Sequence, residues 1–240
     1  MSKLEKLLPP FILRWSKSTP WKRWENKSNQ EIFEEIYEQN IWGKSVDDRT
    51  PFFSGGGSHE TDVVNSYVES VKTFLHNLPN KPVIVDLGCG DFNIGKNFLD
   101  LSAKYIGCDV VLSLVEYNRE RYTNKNLSFV HLDAVNDDLP KGDIVIIRQV
   151  LQHLSNSQIH EVLDKVKLNY TYLIFTEHLP KKEDFDANVD IPVGHLIRLN
   201  INSGLDIEKP PFNFEVKSKS IVDEIPHHSG GKIQTIVYEL

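Results

Sequence analysis

The sequence predicts an α/β fold, a doubly wound and mostly parallel sheet of seven strands preceded by a helical extension. Three observations carry this. From Lys81 onward, short β-branched or apolar runs alternate with segments of helical period, the pattern of successive βαβ units. The first run, Val83-Ile84-Val85-Asp86-Leu87, enters a turn with Gly88 and Gly90 and is followed by an amphipathic segment. Before Lys81 the apolar residues recur at helical spacing alone.

Taken in order, residues 1–27 hold seven Lys or Arg against two Glu, and all four Trp fall within the first 42 residues. Pro9-Pro10 and Pro20 interrupt this basic arm. Its first expectation is packing on its own domain or on a second subunit, as in a homodimer. The competing one is peripheral contact with an anionic membrane surface. Ser28-Asn29-Gln30-Glu31 has the capping-box spacing, so a helix through about Asn40 should bury Ile32, Phe33, Ile36 and Tyr37. A loop from Trp42 to Ser58 follows, with Gly55-Gly56-Gly57 near its end. Ser58 is placed to cap a long helix whose Val63, Val64, Tyr67, Val68, Val71, Phe74, Leu75 and Leu78 recur at helical spacing, and Leu78-Pro79-Asn80 ends it.

The core then reads as strand Val83 to Leu87, a helix from about Asn93, strand Lys104 to Cys108, helix Leu112 to Tyr122 and strand Leu127 to Leu132. Strand Asp143 to Arg148, a Ser155-capped helix and strand Tyr172 to Thr176 continue it, and Phe212 to Lys219 with Ile233 to Leu240 supply the last two strands. The expected organisation is an arm (1–27), a helical lid or extension (28–80) and a core (81–240) with a loop-rich insertion (178–212).

Bulk properties exclude several classes. A net charge of −7, reaching −12 outside the arm, does not suit a phosphate-tracking nucleic-acid surface. No apolar run approaches the roughly 20 residues of a membrane span, and the N-terminus has no cleavable apolar region, so a cytoplasmic setting is expected. Cys89 and Cys108 lack metal-type spacing and read as thiols.

In an open α/β sheet the ligand lies across the carboxyl ends of the strands. Asp86 precedes the glycine turn, where Gly88 and Gly90 let the main chain approach a ligand. Asp109 ends the second strand nineteen residues after Gly90, the range in which an acid grips a ribose diol. Asp133 ends the third. The order D-x-G-x-G resembles the first motif of class I S-adenosylmethionine (SAM) methyltransferases. That resemblance implies a Rossmann-like seven-stranded methyltransferase sheet with its last strand antiparallel. It also implies SAM as cofactor and an acid, Asp133, on the adenine amino group, with the following main-chain N–H of Ala134 on the ring. Trp42-Gly43-Lys44-Ser45, Ser54-Gly55-Gly56-Gly57-Ser58, Leu151-Gln152-His153-Leu154-Ser155 and Asn188-Val189-Asp190 look like a family of small, mostly uncharacterised microbial members of that superfamily. Gln149 and Glu177-His178 depart from its usual residues.

The expected cofactor contacts are Trp42, Ser58, Asp86, Gly88, Cys89, Gly90, Asp109, Val110, Asp133, Ala134, Arg148 and Gln149, with Ser54, Gly55, Gly57 and Thr61 as further lid contacts. The glycine run would offer N–H groups to the methionine carboxylate. Methyl transfer to a hydroxyl needs a proton acceptor. His153 is the first choice, then His178 and Glu177; the alternative for His153 is a histidine that caps or braces its loop, and for the pair an ordinary strand-end polar role. Asn188, Asp190, His195 and Arg198 are the expected substrate contacts. His227-His228 alone offers too few ligands for a zinc site, so no metal is expected. The predicted activity is methyl transfer from SAM to a hydroxyl of a small polar acceptor, foremost a sugar or glycan precursor. Another small metabolite, methylated at oxygen or nitrogen, is the alternative acceptor, and a non-catalytic SAM-binding module is the alternative class.

Overall fold

A computed structural model describes residues 21–45, 50–228 and 230–240. The arm before residue 21 and positions 46–49 of the glycine-rich loop lie outside the described residues. So do the expectations placed on them.

Helix α1 (Asn29–Glu38) opens with the expected capping box, in which Glu31 N–H donates to Ser28 Oγ and Ser28 N–H to Glu31 Oε2. Such a cap contributes about 1 kcal/mol. Ile32, Phe33 and Ile36 are buried on one face. Helix α2 (Thr61–His76) starts later than predicted, after a 3-10 turn over Gly56–Ser58, and Glu60 occupies the cap position without a side-chain bond. Ser58 is not the cap because its hydroxyl accepts from Arg148 instead.

Strands β1 (Val83–Leu87), β2 (Lys104–Asp109), β3 (Leu127–His131), β4 (Ile144–Arg148), β5 (Tyr172–Leu179), β6 (Ser218–Pro226) and β7 (Lys232–Glu239) form one sheet of order β3-β2-β1-β4-β5-β7-β6. Pairs among β1 to β5 are parallel, while β7 runs antiparallel to both β5 and β6. The predicted seven-stranded sheet with an antiparallel last strand is therefore observed. Helices α3 (Leu112–Arg121) and α4 (Asn156–Asn169) complete the layers.

Alternate residues of each strand enter two cores, one per face. Val85, Leu87, Ile106, Val145 and Ile147 pack with Ile159, Val162, Leu163 and Val166 of α4. Ile84, Tyr105, Ile144 and Ile146 pack with Tyr67, Val68, Val71 and Leu75 of α2. Burial of each such side chain stabilises by about 1.5–3 kcal/mol.

Two predicted boundaries are corrected. Glu177 and His178 lie inside β5, paired with Gln234 and Ile233 of β7, not beyond the strand. The sixth strand is Ser218–Pro226 rather than 212–219: Phe212 and Phe214 are buried against the α4 face, with the Phe212 ring 4.9 Å from His160. The period-two pattern of Phe212 and Phe214 serves helix packing, while the edge strand β6 begins with exposed residues. Among the described residues, no helix is long and apolar enough to cross a membrane.

Candidate functional site

The carboxyl ends of β1 to β5 open onto one cavity of about 410 Å³, within the range of small-ligand sites. The turn after β1 is tied to its neighbour, since the N–H groups of Gly88 and Cys89 both donate to Cys108 O, at 2.8 and 3.0 Å. Gly90 has φ +55°, and a Cβ there would lie 2.4 Å from Ser54 Oγ. The chain must be bare at this point for the turn and the overlying loop to meet.

Asp109 fixes the same turn from β2. Its Oδ2 accepts from Gly90 N–H at 3.0 Å and its Oδ1 from Val111 N–H at 3.1 Å. Burial raises its pKa, and these main-chain bonds oppose the shift. Asp86 accepts from the Tyr105 hydroxyl at 2.8 Å, and burial pushes its carboxyl up to about 7. Asp133 accepts from Asn29, Val135 and Asn136. Helix α1 thus closes directly on the end of β3.

The glycine-rich loop lies over the turn from the other side. Asp91 accepts from Ser54 N–H at 3.1 Å and lies 2.6 Å from His59 Nε2, and Asp91 N–H donates to Ser54 Oγ at 2.9 Å. Tyr37 bonds the same Ser54 hydroxyl at 2.8 Å. Arg148, at the end of β4, donates to Gly57 O at 2.6 Å and sits 4.8 Å over the Tyr67 ring. Its Nε is buried with no hydrogen-bond partner. Within the loop, Ser58 N–H bonds Gly55 O while those of His59 and Glu60 bond Gly56 O. These three amides follow the glycine run and are already engaged, and Arg148 is a cation on the cavity wall.

All twelve expected cofactor contacts, Trp42, Ser58, Asp86, Gly88, Cys89, Gly90, Asp109, Val110, Asp133, Ala134, Arg148 and Gln149, line this cavity, as do Ser54, Gly55 and Gly57; Thr61 does not. His153, His178 and His195 also line it. His153 lies in the short helical turn after β4, buried, with its ring 5.1 Å from Trp42 and 6.4 Å from Phe33. Its Nδ1 lies 3.1 Å from Gly194 O, which assigns the proton to Nδ1 and leaves Nε2, 3.4 Å from Gln152 Nε2, as an acceptor. Burial lowers its pKa to about 4, so the ring is neutral at pH 7. His178 Nε2 donates to Gly230 O at 2.6 Å and is thereby committed to the turn before β7.

Four expectations do not survive the geometry. Glu177 faces away from the cavity, as alternation along β5 next to His178 requires; it is 2% exposed, and burial pushes its carboxyl up to about 8, with Arg198 pulling the other way. Arg198 is not on the cavity either. Its guanidinium donates to Leu151, Gln152, Leu154 and Val189 carbonyls and to Asn156 Oδ1. Asn188 Nδ2 donates to Asp206 O and Pro210 O, and Asp190 accepts from Asn156 N–H. An insertion with little regular structure must satisfy its buried main chain through side chains, and these residues do that. They were expected at the substrate because the sequence shows only that polar groups are concentrated there.

Other wall residues escaped the sequence reading. Asn29, Phe33 and Tyr37 of α1 line the cavity; Phe33 and Tyr37 were recognised as a buried face, but not that the face covers a ligand site. Gln152 and Glu60 also line it. Glu60 stands beside His227 and His228, so the histidine pair judged too small for a metal is joined by a carboxylate from a remote segment.

A family model described as a methyltransferase domain matches residues 85–169, the segment carrying the glycine turn, Asp109, Asp133 and His153. The match, over about a third of the chain, agrees with the resemblance to class I SAM methyltransferases. No curated protein matches this chain significantly in sequence. Among solved structures it is similar to the N-methyltransferase NodS from Bradyrhizobium japonicum WM9 in complex with S-adenosyl-L-homocysteine (SAH). The TM-score is 0.60 at 10% identity, covering 87% of this chain and 98% of that one. It is also similar to magnesium protoporphyrin IX methyltransferase (ChlM) from Synechocystis PCC 6803 with bound SAM, at TM-score 0.55 and 15% identity over 89% and 98% of the two chains. The glycopeptide N-methyltransferase MtfA complexed with SAM gives 0.51 and 13%, over 73% and 94%. At such identities the likeness is one of fold. The cofactor expectation agrees with the domain family and with these neighbours.

Proposed function

We propose that this chain is a SAM-dependent methyltransferase acting on a hydroxyl of a small polar acceptor, foremost a sugar or glycan precursor, in the cytoplasm. The observation that supports it most is the convergence of Gly88, Gly90, Asp109, Asp133 and Arg148, from four different strand ends, on one cavity. The donor set fits the cofactor's parts. The Arg148 guanidinium, whose Nε has no hydrogen-bond partner, suits a carboxylate, the Gly88 to Gly90 turn a closely approaching amino-acid and ribose portion, Asp109 a diol, and Asp133 with Ala134 an adenine edge.

When bound, SAM supplies a methyl group activated by its sulfonium. The chain's own part is to position the acceptor, exclude water and take up a proton. His153 Nε2 accepts that proton in this reading, while Gly194 O fixes the ring's orientation. Phe33 and Trp42 offer apolar faces beside polar Gln152 and His195, a mixture suited to a sugar ring. Residues 28–80 act as the cover: α1 and the loop ending at Ser58 close the cavity above the strand ends.

A nitrogen acceptor is the second reading. Burial holds His153 near 4 and makes it a weak base, a lesser handicap for an amine that arrives neutral. An SAH-release assay over sugars, nucleotide sugars and small amines tests both. Turnover confined to sugars supports the first reading; turnover confined to amines replaces it with the second. SAH binding with no turnover on any acceptor leaves a non-catalytic SAM-binding module.

A further inference from the structure

The cavity wall beyond β5 and β7 holds a cluster that methyl transfer, as described above, does not use. His227 and His228 stand in the turn between β6 and β7, and Glu60 comes from the segment before α2. Glu60 Oε2 lies 3.1 Å from His227 Nε2 and 3.2 Å from His228 Nδ1, and the ligand atoms of the three residues all lie within 4.8 Å of one another. Two nitrogen or oxygen ligands held about 2.0–2.1 Å from a tetrahedral ion sit about 3.3 Å apart. The two contacts made by Glu60 are within a few tenths of an ångström of that spacing.

The surroundings hold this arrangement in place. A Cβ on Gly56 would lie 2.5 Å from Glu60 Oε1, so the bare main chain there makes room for the carboxylate. A Cβ on Gly231, at φ +73°, would lie 2.1 Å from Leu179 O, so the histidine turn packs main chain to main chain on the end of β5. His178 supports it from behind, bonded to Gly230 O and with its ring 4.8 Å from that of His227 in T-shaped contact. His227 is nearly enclosed, its side chain 9% exposed. Glu60, His178, His227 and His228 all line the main cavity, so an ion held here would face the ligand space.

We propose that Glu60, His227 and His228 bind one divalent transition-metal ion of the zinc type, with an open coordination position turned toward the cavity. The chemistry selects the metal class: two imidazoles and one carboxylate suit zinc and its neighbours, whereas magnesium and calcium prefer oxygen ligands. Three protein ligands and one open position is the arrangement of a site that takes a substrate or water oxygen. That the open position holds the acceptor's oxygen rests on the proposed methyltransferase reading; metal binding itself does not. The competing account is a plain histidine–carboxylate ion pair.

The test uses the full chain stripped with chelator and titrated with zinc chloride by calorimetry, with bound zinc counted by atomic emission after dialysis. One zinc per chain is expected, with magnesium at millimolar concentration failing to displace it. His228→Ala and Glu60→Gln should each weaken zinc binding at least tenfold. His228 is 72% exposed by its side chain, so its replacement keeps the fold, which circular dichroism checks. No stoichiometric zinc in the parent chain overturns the proposal, as does undiminished binding in both variants. SAH titrated into the same samples separates the two readings. SAH binding without zinc binding removes the metal site alone; zinc binding without SAH binding supports the metal site and removes the methyltransferase reading.

Discussion

At the cofactor end the cavity wall is a row of strand ends bonded through main-chain groups close in sequence or paired in register. At the proposed acceptor end it is assembled from remote segments. Gly88 and Cys89 hang from Cys108 O, and Asp109 holds Gly90 and Val111; these bonds follow once β1 and β2 pair. His153, by contrast, depends on Gly194 O for its orientation and on Arg198, four residues further along the insertion, for the carbonyls flanking it. Cofactor binding can therefore be specified by short motifs, while the acceptor end can vary with the segments that cover it.

Substitutions that separate the two ends sharpen this contrast. The largest expected effect is at His153. His153→Ala should lower turnover by about 10²–10⁴-fold with the SAH dissociation constant unchanged, read by steady-state kinetics beside calorimetry. Because burial places the ring near 4, parent turnover should stay level from pH 8 down to about 5 and fall as the imidazole takes a proton near 4. A midpoint near 6.5 would mean that an exposed group, not His153, is the base. Next comes Asp109→Ala, which removes the acceptor of two main-chain N–H bonds and should weaken SAH binding about 100-fold, roughly 2.7 kcal/mol. Unchanged affinity there would break the claim that the cofactor end is held by Asp109.

Arg198→Lys is smaller and tests the borrowed nature of the acceptor end. A lysine cannot reproduce the planar fork that reaches several carbonyls at once, so turnover should drop about tenfold while SAH affinity stays within about twofold. Loss of both in parallel would show that the two ends are one unit. Glu177→Gln has the smallest effect on chemistry and acts on stability. Burial pushes the folded carboxyl up to about 8 from the ordinary 4.5 of an exposed glutamate, so between those values the folded state holds the extra proton. That contribution is complete below 4.5 and lost as pH rises through 8. The glutamine variant should gain on the parent as pH rises from 6 to 9, by on the order of 2 kcal/mol, measured by urea denaturation.

The same contrast decides how much was legible in the sequence. The core strands were readable because fully buried parallel strands are apolar runs punctuated by turns, and β1 falls on Val83–Leu87 as expected. The acids on the cavity wall were readable because strand-end position alone brings Asp86, Asp109 and Asp133 to one edge. Register, however, decides which of two adjacent side chains meets the cavity, and a strand end placed at Thr176 instead of Leu179 hid the fact that Glu177 and His178 face opposite ways. Arg198, Asn188 and Asp190 look alike in sequence whether they bind a ligand or satisfy a buried main chain. Only tertiary contacts separate those roles, and the same holds for Glu60 beside His227 and His228.

The central claim, that these strand ends form a SAM site, is met most directly by calorimetric titration of the purified chain with SAH. The account predicts saturable binding of one SAH per chain in the micromolar range, lost or weakened about 100-fold in Asp109→Ala. Absence of binding at millimolar SAH to a folded chain would contradict it.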